Sequence, residues 1–270
     1  MARPDFHIHV SASLPDLEGP WEPLSGGRTN QVWRAGNLVI KKYAAQRASL
    51  LFPNDPIAEA QALAHFGPLG MAPTLVGQGS GWIAYDFVLG TCWREGAGDV
   101  ARLLGRIHST KIPGNTFRQT PIGSQALRCS AVNAQAAVGF QGDLPDVPDV
   151  PVISGSVLHG DAVPANIVRR PNGDLCLIDW QCPAIGDPAD DLAIFLSPAM
   201  QMIYRGFPLS SHESTAFLNS YPDHKIVERY LSLRPLYHFR MAMHCLSRAN
   251  RGEVVYANGA KLELAEIDRP

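Results

Sequence analysis

The chain has 270 residues, of which 46% are hydrophobic and 18% are charged, so it is long enough for one large core or two modest ones. Its net charge of −2 gives no electrostatic reason to expect a nucleic-acid partner. No apolar run approaches the roughly 20 residues that cross a bilayer, and the N-terminus lacks the apolar segment of a signal peptide. The five cysteines contain no Cys-x-x-Cys pair and the nine histidines no zinc spacing, so we predict a reduced, cytoplasmic protein with no membrane, nucleic-acid or evident protein partner.

A glycine-containing segment precedes the first long alternating strand. Gly26 and Gly27 come shortly before Thr29, Asn30 and an alternating apolar run. Because glycine has no Cβ, the backbone amides of such a segment can close over a phosphate group. The same pattern is also common in an ordinary turn, so this segment alone leaves both interpretations open.

The next predicted strand contains two adjacent lysines. Leu38–Tyr43 follows a plausible hairpin turn at Gly36-Asn37 and carries Lys41 and Lys42. Successive side chains of a strand point to opposite faces, so only one of the two lysines can face a given ligand.

A capped helix follows these strands. Asp55 suits the N-cap, Pro56 suits the first helical position, and Gly67 can end the helix in the left-handed conformation. Glu59 is the only acidic residue inside this helix. In an isolated helix a glutamate is usually a surface residue.

Beyond residue 90 the apolar spacing becomes helical. Asp99–Ser109 places its aliphatic side chains on one face, and residues 125–140 also favour a helix. Three prolines between residues 145 and 151 exclude a regular helix or a central strand there. We therefore predict a linker that leads into the next motif.

That motif is a predicted hairpin with three polar side chains near its ends. The runs on either side of Asn172-Gly173 are typical of strands, and this pair is the strongest short-range hairpin signal because both residues tolerate positive φ. Folding the hairpin is expected to bring Asn166 next to Asp179, with Asp161 one short loop away. An amide oxygen and two carboxylates suit a hard cation such as Mg²⁺ beside a reacting hydroxyl.

The C-terminal third is predicted to be helical. A helix is expected from Pro188 to about residue 204, with Asp190 in its first turn exposed to solvent. Residues 210–250 are expected to form two or three helices, broken near Pro222 and Pro235.

Two of these motifs carry a family resemblance. His159-Gly160-Asp161 with Asn166 five residues later, followed by Ile178-Asp179-Trp180, resembles the signature of the aminoglycoside phosphotransferase and choline kinase family. This family is a distant relative of the protein kinases. The later segment Gly186–Ala193 resembles the family as well, and there the resemblance implies that Asp191 is buried and holds the catalytic loop.

The resemblance implies an α+β, bilobal, protein-kinase-like fold. A small N-terminal lobe, residues 1–88, would bind the nucleotide with an antiparallel sheet and one helix. A larger and mostly helical C-terminal lobe, residues 89–270, would carry catalysis and acceptor binding.

The resemblance also assigns roles to individual residues. Asp161 would orient the acceptor hydroxyl and take its proton, while Asn166 and Asp179 would bind Mg²⁺. Lys41 is preferred over Lys42 as the cation that holds the ATP phosphates. The residues expected to bind the nucleotide directly or to orient that lysine are Lys41, Glu59, Gly26, Gly27, Thr29 and Asn30.

The resulting expectation is a Mg²⁺-dependent phosphotransferase that moves the γ-phosphoryl group of ATP to a hydroxyl group of a small molecule. Choline or ethanolamine, thiamine, an aminoglycoside or a sugar-like alcohol are the acceptors considered. The expectation that the nucleotide base is adenine rather than guanine rests on the resemblance alone. The alternative is a non-catalytic nucleotide-binding regulatory module on the same fold, which the loss of a key residue such as Asp161 or Lys41 would have favoured.

Overall fold

The alternating segments of the first 90 residues form a five-stranded antiparallel sheet, as predicted. The structure is a computed structural model that describes residues 7–14, 17, 19–24, 30–44, 49, 51–112 and 117–268. The strands are β1 Trp21–Pro23, β2 Gln31–Ala35, β3 Leu38–Lys42, β4 Leu75–Gly79 and β5 Trp82–Asp86, in the order β1-β2-β3-β5-β4. Helix α1 His7–Ser13 adds a second helix to the one expected, which is α2 Pro56–Phe66.

Strand β3 presents two chemically different faces. Ile40 packs in an apolar cluster with Trp82 of β5 and Val10 of α1. Lys41 points to the opposite face, where it is 2% exposed, whereas Lys42 lies in an exposed position. The strand therefore buries one lysine and leaves its neighbour in solvent.

Helix α2 begins as the sequence predicts but ends differently. The Asp55 carboxylate accepts hydrogen bonds from the backbone N–H groups of Ile57 and Ala58, at 2.9 and 3.0 Å. Gly67 has right-handed helical backbone angles, φ −57° and ψ −54°, so the predicted left-handed end is wrong. A glycine is required there because a Cβ would lie 2.7 Å from the carbonyl oxygen of Leu63 and 2.9 Å from that of Pro73.

The remaining strands form two three-stranded sheets. They are β6 Thr91–Cys92, β7 Arg118–Gln119, β8 Ser156–Leu158, β9 Ile167–Arg169, β10 Leu175–Leu177 and β11 Ala184–Gly186, in the orders β10-β9-β6 and β7-β11-β8. The remaining helices are α3 Ala97–Ser109, α4 Ser124–Val138, α5 Ala189–Leu196, α6 Pro198–Arg205, α7 Ser211–Ser220, α8 His224–Asn250 and α9 Val255–Ile267.

The chain forms two compact units and passes from one to the other more often than the sequence suggests. The first unit contains residues up to Thr91 together with Val168–Cys182, and the second contains Cys92–Ile167 together with the residues from Pro183 onwards. The single boundary predicted near residue 88 divides the chain only once. The additional crossing arises from the β9–β10 hairpin, because most of it belongs to the first unit.

The predicted hairpin is present, with a different turn. The N–H of Gly173 bonds to the carbonyl of Arg170 at 2.9 Å, and the N–H of Arg170 bonds to the carbonyl of Asp174 at 2.9 Å. Gly173 has a positive φ of 90°, whereas Asn172 is not among the described residues with positive φ. The turn is therefore a four-residue turn with glycine at its left-handed position rather than an Asn-Gly turn.

Packing attaches this hairpin to helix α2. The ring of Trp180 stacks on Phe66, with centroids 4.5 Å apart and an interplanar angle of 17°. The N–H of Leu177 bonds to the carbonyl of Met71 at 3.0 Å. These contacts fix the residues that follow β10, which include Asp179.

Two predictions about helix boundaries in the C-terminal part are wrong. The single helix expected from 188 to 204 is two helices, because Ser197 ends α5 and then caps α6 through the N–H of Met200, at 3.1 Å. The chain does break near Pro222, but Pro235 lies inside the 27-residue helix α8. A proline there removes the hydrogen bond to the carbonyl of Leu231. Leu231 lies on the exposed side of the helix, at 45% exposure.

The geometry at Gly67 predicts that a glycine-to-asparagine substitution destabilises the protein more at Gly67 than at Gly139. Gly67→Asn should destabilise the protein by about 1–3 kcal/mol, since its side chain meets backbone atoms that cannot move aside. Gly139→Asn is the matched control, because Gly139 ends α4 with φ 67° and a Cβ added there would meet no atom within 4 Å. Asparagine tolerates that conformation, so this variant should lose less than about 1 kcal/mol. Urea unfolding measures both, and equal losses would contradict the geometry.

Candidate active site

A buried lysine shared by two carboxylates forms the first group of the candidate site. The Lys41 ammonium donates to Glu59 Oε2 at 2.6 Å and also to Asp179 Oδ1. Glu59 is fully buried, whereas the Asp179 side chain is 30% exposed. Lys41 comes from β3, Glu59 from α2 and Asp179 from the segment after β10. The structure therefore pairs Lys41, not Lys42, with the helix glutamate.

The charges in this group are strongly coupled. Burial alone would lower the pKa of Lys41, but the carboxylates of Asp179 and Glu59 outweigh it and raise that pKa above its usual value. Lys41 is therefore charged at neutral pH. Burial raises the pKa of Glu59, and Lys41 opposes that rise. Two carboxylates thus share the one ammonium.

Asp179 has an uncommon backbone conformation. Its φ is 62°, and among the described residues it is the only one other than glycine with a positive φ. Aspartate adopts this region more readily than most residues, yet the conformation still costs energy. The stacking of Trp180 and the bond to Lys41 hold the residue there.

Asn30 has a cross-linking role in the first unit. Its amide nitrogen donates to Asn54 Oδ1 and to Gln181 Oε1, both at 2.8 Å, and its amide oxygen accepts from the N–H of Ala44 at 3.0 Å. These bonds tie the start of β2 to the start of α2 and to the segment that carries Asp179. The other expected loop residues, Gly26, Gly27 and Thr29, lie outside the described residues.

The second group joins Asp161 and Asn166. The amide nitrogen of Asn166 donates to the backbone oxygen of Asp161 at 2.9 Å and to its Oδ2 at 3.2 Å. Asn166 ends a short 3₁₀ turn that begins at Pro164, and it is 8% exposed. With its nitrogen committed to Asp161, the amide oxygen is the atom of Asn166 that can bind a cation.

A buried carboxylate on α5 holds the loop that carries Asp161. Asp191 accepts hydrogen bonds from the backbone N–H groups of His159 and Gly160, at 2.7 and 2.8 Å, and its Oδ2 lies 3.0 Å from His108 Nε2. Gly160 has φ 77°, which turns both N–H groups to the carboxylate. Burial would raise the pKa of Asp191, but these hydrogen bonds and the nearby His108 lower it below its usual value.

Two acids near the start of α5, Asp187 just before it and Asp190 in its first turn, are also buried, which the sequence did not predict for Asp190. Asp187 Oδ2 accepts from Arg229 Nε at 2.6 Å, and Asp190 Oδ1 lies 3.4 Å from Arg240 Nη1. Asp190 is 7% exposed, so its predicted exposure to solvent is wrong. Burial raises the pKa of Asp190 above its usual value. The two arginines lie on α8, and no local pattern in the sequence links them to α5.

Each of the two groups carries an oxygen ligand of the kind that magnesium prefers. Asp179 offers a carboxylate oxygen and Asn166 an amide oxygen, the hard ligands that Mg²⁺ takes along with substrate phosphates and water. No group of three or more His, Cys, Asp or Glu residues suited to a metal occurs within the part of the chain that the structure describes. Within the same residues, no helix is long and apolar enough to span a membrane.

One residue beside the first group was missed by the sequence analysis. The hydroxyl of Tyr43 donates to Glu59 Oε2, the oxygen that also accepts from Lys41. Burial and then the Glu59 carboxylate raise the pKa of Tyr43 above its usual value, so this hydroxyl stays protonated. The available signal was its position two residues after Lys41, just beyond the end of β3.

Comparisons with known proteins place the chain in a family. Residues 20–225 match the model of the phosphotransferase enzyme family. Comparison with curated proteins gives no match.

Three solved structures illustrate the shared fold. The choline/ethanolamine kinase family protein from Mesorhizobium loti is 15% identical, with a TM-score of 0.67 over 96% of this chain and 91% of that one. The ternary complex of streptomycin, ATP and APH(2″)-IIa is 15% identical, with a TM-score of 0.65 over 99% of both chains. The macrolide 2′-phosphotransferase from Brachybacterium faecium is 18% identical, with a TM-score of 0.62 over 99% of both. The expected fold class and the family resemblance are both confirmed.

The Asp191 anchor predicts a stability loss that depends on pH. Asp191→Asn replaces one acceptor oxygen with an N–H donor, and breaking such a buried network costs about 3–5 kcal/mol. Because the pKa of Asp191 is lowered in the folded protein, its stabilisation is complete above the unfolded value of about 3.9 and is lost as pH falls through the lower folded value. The difference between wild type and variant should therefore shrink below about pH 4.

Denaturant unfolding at several pH values measures this difference. Asp190→Asn is the matched control, because the raised pKa of Asp190 means that a neutral amide should cost less there at pH 7. Equal losses in the two variants, or an Asp191 effect that does not change with pH, would contradict the assignment.

Proposed function

The chain belongs to the phosphotransferase enzyme family, and we propose that it transfers the γ-phosphoryl group of ATP to a hydroxyl group of a small molecule in a Mg²⁺-dependent reaction. The observation that carries this proposal is the Lys41 ammonium held between Glu59 and Asp179. Phosphoryl transfer depends mainly on positioning and on neutralising phosphate charge, and this group supplies a fixed cation for that purpose. The Asp161–Asn166 pair supplies an aspartate for the acceptor.

Each residue has a proposed role in this reaction. Lys41 binds nucleotide phosphates while Glu59 holds its ammonium in place. Asn166 and Asp179 bind Mg²⁺, which when bound offsets the charge that builds on the phosphate oxygens. Asp161 orients the acceptor hydroxyl and takes its proton late in transfer, so its pKa need not be high. Residues 1–88 are the proposed nucleotide lobe and 89–270 the acceptor lobe.

ATP is the proposed donor, and the glycine segment with Gly26, Gly27, Thr29 and Asn30 the proposed phosphate loop. A solved neighbour of this fold binds ATP together with streptomycin, which supports the choice of donor. The acceptor is proposed only as a small hydroxyl compound, because neighbours of the same fold are named as choline, ethanolamine, aminoglycoside and macrolide enzymes. A cytoplasmic location is part of the same proposal.

A turnover screen with the wild-type protein and Asp161→Asn tests the proposal. The wild type should release ADP from Mg²⁺–ATP faster with at least one alcohol of an acceptor library than without it. Asp161→Asn should lower that turnover by about 10²–10⁴ while it retains nucleotide affinity, because its side chain acts on the acceptor. Nucleotide binding with no transfer to any acceptor would favour the regulatory module instead, and full turnover by Asp161→Asn would contradict the role of Asp161.

Replacing the two adjacent lysines tests the nucleotide half separately. Lys41→Met keeps the apolar stem but removes the charge, so Mg²⁺–ATP affinity should fall about 10- to 100-fold, the value of one charged hydrogen bond. Lys42→Met is the matched control, since Lys42 is exposed, and its affinity should equal that of the wild type. Calorimetric titration measures both variants, after thermal unfolding has shown that each is folded. A loss at Lys42 with normal binding by the Lys41 variant would contradict the proposed site.

A further inference from the structure

Glu59 receives both of its hydrogen bonds on one oxygen. Oε2 accepts from the Lys41 ammonium and from the Tyr43 hydroxyl, whereas the buried Oε1 has no hydrogen-bond partner among the described residues. Glu59 is completely buried, so its carboxylate has no contact with bulk solvent. A buried carboxylate with too few donors is costly, so each of the two donors matters.

Lys41 cannot serve Glu59 alone. The same ammonium also donates to Asp179, whose side chain is 30% exposed. In the proposed function Lys41 binds phosphate as well, so its three N–H groups have three acceptors to satisfy. Any movement of the ammonium towards phosphate weakens its bond to Glu59. A second donor to Glu59 that binds no other group would limit this loss.

Tyr43 meets this requirement. It lies two residues after Lys41, just beyond the end of β3, and the Lys41 ammonium lies 5.1 Å from the centre of the Tyr43 ring. The ring thus borders the ammonium while the hydroxyl bonds to Glu59. One side chain contacts both members of the ion pair.

We propose that Tyr43 is a positioning residue for nucleotide binding, which acts by holding the Glu59 carboxylate while Lys41 is shared with Asp179 and phosphate. The proposal rests on the proposed function, because it concerns the residue that binds nucleotide phosphates. The Tyr43 side chain contacts Glu59 and the Lys41 ammonium, so its proposed effect on phosphate is indirect. Its hydroxyl fixes Glu59, and Glu59 in turn fixes the ammonium of Lys41.

Tyr43→Phe isolates the hydroxyl, because phenylalanine keeps the ring beside Lys41. This variant should bind Mg²⁺–ATP about tenfold more weakly, the effect of one hydrogen bond to a charged group. KM for ATP should rise accordingly, while KM for the acceptor stays unchanged. Tyr85→Phe is the matched control, since Tyr85 is a buried tyrosine of β5, the strand that pairs with β3. Its ATP affinity should remain within about twofold of wild type.

A double-mutant cycle with Glu59→Gln shows whether Tyr43 acts through Glu59. Tyr43→Phe should weaken ATP binding in the wild-type background but have little further effect once Glu59 is glutamine. Equal effects in the two backgrounds, or normal ATP affinity of Tyr43→Phe, would overturn the proposal. A Tyr43→Phe protein that no longer unfolds cooperatively would also overturn it, because the hydroxyl would then serve the fold itself.

The same cycle followed by urea unfolding separates this proposal from the proposed function. Unfolding needs no nucleotide, so coupling between Tyr43→Phe and Glu59→Gln is measurable whether or not ATP binds. If the wild type binds no ATP, the proposed function fails, and the unfolding coupling still reports the Tyr43–Glu59 bond. If ATP binds and the two substitutions are not coupled in either measurement, the role of Tyr43 alone is refuted.

Discussion

The first unit depends on the burial of one ammonium group. Moving a lysine charge out of water is strongly unfavourable unless carboxylates compensate for it nearby. Lys41 therefore requires Glu59 from α2 and Asp179 from the segment after β10, two residues that are distant in sequence. The Asp55 cap holds the start of α2, which carries Glu59, and the Phe66–Trp180 stack holds the segment that carries Asp179 against that helix.

The second unit also buries a charged group, but one of the opposite sign. The buried carboxylate of Asp191 is compensated mainly by two backbone N–H groups and a histidine nitrogen rather than by an ammonium. Backbone donors have fixed directions, so this arrangement specifies the path of the loop before Asp161. The Lys41 ammonium, in contrast, is held by two side-chain carboxylates. One group therefore fixes a backbone, and the other fixes a cation.

The reaction class is easier to infer than the acceptor. The groups that we propose to bind phosphate and to orient the attacking hydroxyl consist of a few residues at fixed spacings, such as Asp161 and Asn166. Neighbours of the same fold are named for acceptors as different as choline and macrolides, at 12–18% identity. In the proposed function, acceptor choice resides in side chains outside the two groups, which need not change with the acceptor.

Sequence patterns correctly predicted the features that depend on adjacent residues. They failed for features that depend on residues far away in the chain. The Asp55 cap and the β9–β10 hairpin follow from adjacent residues and are present. The burial of Asp190 depends on Arg240, fifty residues away, and the tight contact at Gly67 depends on Pro73 across the helix end. Tyr43 combines both cases. Its position two residues after Lys41 is a local signal, but its role appears only when α2 brings Glu59 to the same hydroxyl. A tyrosine two residues after a buried lysine is therefore best interpreted together with the carboxylate that compensates the charge of that lysine.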